Sequence, residues 1–222
     1  MANATTSAND RQWYIVGRWQ EYEGEGRANL VRILAIGVFY AIQLVHYHGF
    51  AEQDRDGAAA RHAVAFHQAA TALAVAGSLM SVAILLCLRR RVFPGILKFI
   101  SVTGDVILVT SLASIGAGPL SPLVAVYFLI IVLAGLRFSL RLVWCSTLSS
   151  MAGYLMLVGI KDDKWFDSNH IVAPVEQLMM LVCLGLTGIV MGQIIRRVRA
   201  LADEYSRRVA ATRSATNQQE PA

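Results

Sequence analysis

Charge is scarce in this chain: Asp, Glu, Lys and Arg make up 16% of its 222 residues, against about 25% in an ordinary soluble domain. So few charged side chains exclude a conventional water-facing globular surface. Cysteine is nearly as scarce. Cys87, Cys145 and Cys183 all lie inside apolar runs with no CxxC spacing, which excludes a disulfide framework and a thiolate metal centre and leaves three buried, small apolar residues. The chain also lacks a Gly-rich phosphate loop, a GxSxG elbow and an HExxH motif, so no hydrolase or transferase site is expected and the chain reads as non-enzymatic. No apolar run opens it. Met1 to Gly26 is polar, so a cleavable signal peptide is not expected and the N-terminus should be retained.

What the chain does have is apolar residues, 55% of the total, with a mean hydropathy of +0.49. A membrane-spanning helix needs about 20 mostly apolar residues. Six runs qualify, at about 29–49, 64–88, 95–115, 120–136, 140–160 and 172–195, the fourth being the shortest. They are continuously apolar with no two-residue alternation, which excludes a closed β-barrel. The expected fold is an all-α membrane protein, a six-transmembrane-helix bundle.

Basic residues give the orientation. With alternating passes, sixteen of the twenty Lys and Arg fall on one side, including Arg11, Arg18, Arg27, Arg32, Arg89, Lys98, Arg137, Arg141 and Arg196. Only Arg55, Arg61, Lys161 and Lys164 fall on the other, among several Asp and Glu. The positive-inside rule then places both termini in the cytoplasm of a cell with an inner membrane. The pI near 9.4 reflects these topological clusters, and nucleic acid is not an expected partner.

Four segments follow. Residues 1–28 form a cytoplasmic segment in which Trp13, Tyr14, Trp19 and Tyr22 interleave with charges, the pattern of a short interfacial helix. Residues 29–195 are the transmembrane domain. Residues 196–211 continue the sixth span as a signalling-type helix, since Ile194, Val198, Leu201, Tyr205 and Val209 recur every three or four residues. That apolar seam suits a homodimer or a separate cytoplasmic signalling partner. Residues 212–222 read as a polar disordered tail.

Two groups of residues carry chemistry. All five histidines lie on the outer side of this topology. The first two spans are joined by a short polar turn, so they pack as antiparallel neighbours with His46 and His67 at similar depth. Two facing imidazoles suit axial ligation of haem b, and with His48 or His62 they suit copper or zinc. The alternatives are boundary histidines bonded to backbone or water, and protonation sensing of the outer compartment. Asp105, near the middle of the third span, must face the bundle interior, where a carboxylate serves either as a ligand-binding or proton-linked acid or as a hydrogen-bonding brace. Gln43, Gln68 and Thr71 are its candidate polar partners.

Beyond Asp105 comes Gly116-Ala117-Gly118-Pro119-Leu120-Ser121-Pro122-Leu123, a tight non-helical turn with Ser121 as a cap. The span after it reads Tyr127-Phe128-Leu129-Ile130-Ile131. A mid-span Asp, this Gly/Pro turn and that span resemble the membrane input domains of bacterial six-span sensor histidine kinases of the RegB and PilS kind. Similar anchors precede some bacterial adenylate cyclases. The resemblance implies a turn that helps bind a quinone, which carries over to Gly118, Ser121 and Pro122; Ala117, Ser121 and Leu123 stand where that pattern has Gly, Asn and Phe. The expected function is a membrane sensor or regulatory module whose sixth span carries the signal, with no kinase or cyclase domain in these residues. An electron-transfer protein using His46 and His67 is the alternative, and a small proton-coupled transporter built around Asp105 is a third.

Overall fold

The computed structural model describes the backbone of residues 2–50, 58–90, 95–161 and 172–218, and side chains within 23–48, 64–90, 95–161 and 172–208. All regular structure among the described residues is helical. The helices are α1 (Ala2–Phe50), α2 (Ala58–Arg89), α3 (Ile96–Ile115), α4 (Val126–Gly135), α5 (Leu140–Lys161) and α6 (Pro174–Gln218). Two 3₁₀ turns, Gly118–Leu120 and Pro122–Ala125, join α3 to α4.

Among the described residues, five helices, all but α4, contain stretches long and apolar enough to cross a membrane. The apolar stretch at α4 is shorter, Pro122–Gly135. Its 3₁₀ turn at about 2 Å per residue and its α-helix at about 1.5 Å together reach only about 23 Å, short of a hydrocarbon core of about 30 Å. Every residue of α4 is apolar or Gly, so it has no polar face to present. Most of it is buried accordingly, with Tyr127, Ile131 and Ala134 fully enclosed.

Helix α5 is the hub, packing on α3, α4 and α6. Val102 and Val106 of α3, Ile130 and Ile131 of α4, Leu142, Val143 and Leu157 of α5, and Leu184 and Ile195 of α6 form one continuous core. Helices α1 and α2 pair with each other as the hairpin that their short connection implies, and α2 leans on α3. The outward faces are apolar: Leu30, Leu34, Val38, Ile42 and Val45 on α1, and Val175, Leu178, Val182, Leu186 and Ile189 on α6, are all exposed. An apolar surface of this extent has to be covered, and a bilayer is the medium that covers it.

Helices α1 and α6 run far beyond their spans. Helix α1 is unbroken from Ala2, so the N-terminal segment and the first apolar stretch share one helix; the aromatic side chains before Glu23 lie outside the described residues. Helix α6 is likewise unbroken through Gln218, carrying helical backbone past Ala211 into the segment that its composition marks as a polar tail.

The α3–α4 connection depends on one glycine. Gly118 has φ +66°, a left-handed conformation that suits glycine and strains other residues. A Cβ there would also stand 2.8 Å from Cγ of Lys161. Gly118→Ala is therefore expected to lower stability by about 1–2 kcal/mol, measurable as a shift in the denaturation midpoint of the detergent-solubilised protein.

Candidate functional site: a buried charge cluster

One face of α1 enters the apolar region carrying polar residues. Glu25, Asn29 and Arg32 are spaced four and three apart and so share one side of the helix, and all three are buried. Gly24, on the same side, lets the backbone of α1 approach the α4–α5 turn, where a Cβ would meet the Leu136 carbonyl oxygen at 3.2 Å.

Two ion pairs result. The Arg32 guanidinium grips Asp105 with Nε donating to Oδ1 at 2.8 Å and Nη2 donating to Oδ2 at 2.6 Å. This is the two-pronged geometry in which Arg and carboxylate match best. Arg137 Nη2 lies 3.2 Å from Glu25 Oε2, with side-chain exposures of only 2% and 1%. One hydroxyl joins the pairs, since Ser101 Oγ accepts from Arg32 Nη2 and, at 3.3 Å, from Arg137 Nη2. Arg32 Nη1 also donates to Asn29 Oδ1 at 3.2 Å, and Asn29 Nδ2 donates to the Ser81 carbonyl of α2 at 3.0 Å. Arg137 Nη1 donates to the Lys98 carbonyl at 3.2 Å.

The cluster thus ties α1, α2, α3 and the α4–α5 turn together with two positive and two negative charges. Opposite charges offset the large cost of burying each alone. Burial pushes the Arg137 guanidinium below its usual pKa, and the nearby Glu25 carboxylate opposes that shift. Arg137 Nε is buried with no hydrogen-bond partner among the described residues.

Asp105 faces the interior as its mid-span position requires, but its partner is Arg32. Among the candidate partners, Thr71 instead donates to the His67 carbonyl at 2.8 Å and shares a 3.2 Å hydrogen bond with Tyr40; Gln68 is exposed and Gln43 half-buried. The missed residues are Glu25, Arg32 and Arg137. Glu25 and Arg32 were signalled by the polar stripe 25/29/32 running into an apolar helix, and Arg137 carried no such signal.

The histidines sit at the other end of the α1–α2 hairpin. The His67 ring stacks on Tyr47, with centroids 4.1 Å apart and planes 11° from parallel, and lies 6.4 Å from the Tyr40 ring. Its Nδ1 is buried without a hydrogen-bond partner among the described residues. His46 and His48 are exposed. The His62 side chain and all of His170 lie outside the described residues. Among the described residues no three His, Cys, Asp or Glu side chains are grouped as metal ligands.

In the Gly/Pro turn, Gly118 and Ser121 are buried and Pro122 is exposed. Ser121 Oγ accepts from Leu123 N at 3.3 Å and so caps the second 3₁₀ turn. A second polar contact lies deeper, where Thr110 and Tyr127 share a 2.8 Å hydrogen bond while Thr110 also donates to the Val106 carbonyl. Compared with known proteins, the chain matches no family model, no curated protein and no solved structure.

Proposed function

We propose that this chain is a non-catalytic sensor or regulatory module of a cell inner membrane, which takes a hydrophobic or redox-active ligand among its helices and passes a helix displacement out through α6. The observation that carries this reading is α6 itself, a single 45-residue helix. It packs on the core with Leu184 and Ile195 and then continues as a polar, charged helix whose Val198, Leu201 and Tyr205 are exposed.

In this reading Pro122–Gly135 is the fourth of six crossings and both termini are cytoplasmic, as the distribution of Lys and Arg supports. The short fourth crossing is tolerable because the two 3₁₀ turns at its start pack against α3, and the first of them also against α5, and irregular backbone at membrane depth is stable where protein encloses it. Arg32 and Arg137 are held in ion pairs, but the remaining basic residues of the same loops keep the asymmetry. The seam of Ile194, Val198, Leu201 and Tyr205 would pair with the same helix of a second copy, or with a separate cytoplasmic partner, because spans hold copies parallel.

A quinone would meet the α3–α4 turn from the exposed Pro122 side. Ser121 has a hydroxyl proton to offer a quinone carbonyl there, while the Lys161 stem covers Gly118. The test is to fuse a reporter kinase or cyclase after α6 and to measure output in membranes with oxidised or reduced ubiquinone, in the parent and in Asp105→Asn. A change in output with redox state, altered by Asp105→Asn, is expected. Output indifferent to both would sink the sensor reading.

The buried, unpartnered Nδ1 of His67 favours a second reading, a haem- or copper-bearing electron-transfer protein using His46 and His67. An absorption spectrum with metal analysis of protein from haem- and copper-replete cells decides it. A colourless, metal-free preparation rules it out.

A further inference from the structure

The α4–α5 turn holds on to the molecule in two directions. Arg137 points inward to Glu25 of α1 and Ser101 of α3. The next residue, Phe138, accepts a hydrogen bond on its carbonyl oxygen from Arg199 of α6. These are neighbours in a tight turn, closed by Arg137 N to the Ala134 carbonyl at 3.3 Å and Phe138 N to the Gly135 carbonyl at 3.0 Å. Phe138 has φ +50°, a conformation rare for a bulky residue and sustained only where its surroundings enforce it. Ser139 then starts α5 by accepting from Leu142 and Val143. So short a turn has little slack to absorb a movement.

We infer that this turn is a latch between the buried charge cluster and α6. With Glu25 seated on Arg137, the Phe138 carbonyl is presented to Arg199 and the α6 extension is held against the bundle. A displacement of α1 that withdraws Glu25 lets the turn relax, and Arg199 loses its acceptor. Arg199 is the residue at which the hold acts, because its hydrogen bond reaches α6 at the point where the helix leaves the core, four residues beyond Ile195. The signalling use of this latch rests on the sensor reading, but the coupling itself does not.

Hydrogen exchange of the amides at 200–208, with the full chain in lipid nanodiscs and no ligand added, tests the coupling. Arg199→Gln, which removes a charged donor at a partly solvated site, is expected to speed exchange about fivefold. Glu25→Gln, far from these amides, should give a similar increase. The double variant should exchange no faster than either single one, since both release the same latch. Unchanged exchange in Glu25→Gln, or effects that multiply in the double variant, would overturn the proposal. If Glu25→Gln does not give a monodisperse protein, Ser101→Ala takes its place with the same expected outcomes. Non-additive exchange beside a reporter that ignores redox state would retain the latch and discard the sensor.

Discussion

Arg32→Met is expected to lower the stability of the detergent-solubilised protein by about 3–5 kcal/mol, the usual cost of stripping one partner from a buried ion pair. The loss is large because Arg32 serves several acceptors at once. Asp105 loses both donors from its guanidinium, and Asn29 and Ser101 each lose one. The Asp105 side chain is only 13% exposed, so water cannot replace the missing donors and the carboxylate must stay charged at high cost or take up a proton. Arg32→Met combined with Asp105→Leu should recover most of the loss, because two apolar residues of similar volume carry no desolvation cost. Denaturation midpoints of the four proteins in the cycle measure this directly. A double variant destabilised by the sum of the two single ones would show that Arg32 and Asp105 do not act as a pair.

Gly153→Ala is expected to cost about 1–3 kcal/mol through overpacking. Helix α5 crosses α3 and α4 at this glycine, and a Cβ would meet Val106 Cγ1 at 2.8 Å, Thr110 Oγ1 at 2.9 Å and Tyr127 Cε1 at 3.3 Å. None of these can readily retreat. Val and Thr are confined to few rotamers on a helix, and Thr110 is further fixed by its bonds to Val106 and Tyr127. Small residues at such crossings are how membrane helices approach closely enough to gain van der Waals contact. Gly153→Ala with Val106→Ala should regain part of the stability by removing the nearest methyl. A fully stable Gly153→Ala protein would mean that α5 does not cross so closely.

Much of the bundle was legible in the sequence because the bilayer imposes a simple rule of length and apolarity. That rule located the five long apolar helices; the Gly/Pro segment, expected to be non-helical, forms two 3₁₀ turns. It was weakest at the fourth span, where Pro119 and Pro122 commit the entry to 3₁₀ turns and shorten the apolar helix. The inward orientation of Asp105 was also legible, since a carboxylate at that depth has nowhere else to go.

Its partner was hidden by chemistry that serves two purposes. An arginine near a helix end ordinarily marks the cytoplasmic interface, and nothing in residue type distinguishes Arg32, which turns inward, from Arg27, which pairs at 2.6 Å with Glu23 on the exposed surface. Helical phase does distinguish them. Arg32 shares a side with Glu25 and Asn29, and Arg27 does not. Arg137 was hidden more completely, because its inward course depends on a left-handed Phe138 and on the close approach at Gly24, neither of which leaves a mark in composition. At the other end, hairpin pairing brought α1 and α2 together as their short connection implies, and the structure shows Tyr47 as the ring stacked on His67.

If a buried charge cluster governs the helix that leaves the membrane, the position of α6 must respond when the cluster is altered. Spin labels at positions 148 and 205, both exposed, report that position by pulsed electron resonance in nanodiscs, with Cys87, Cys145 and Cys183 replaced by alanine. Asp105→Asn should broaden and shift the distance distribution between the labels while Asp105→Glu leaves it close to the parent. Superimposable distributions in a folded Asp105→Asn protein would contradict a cluster that controls α6.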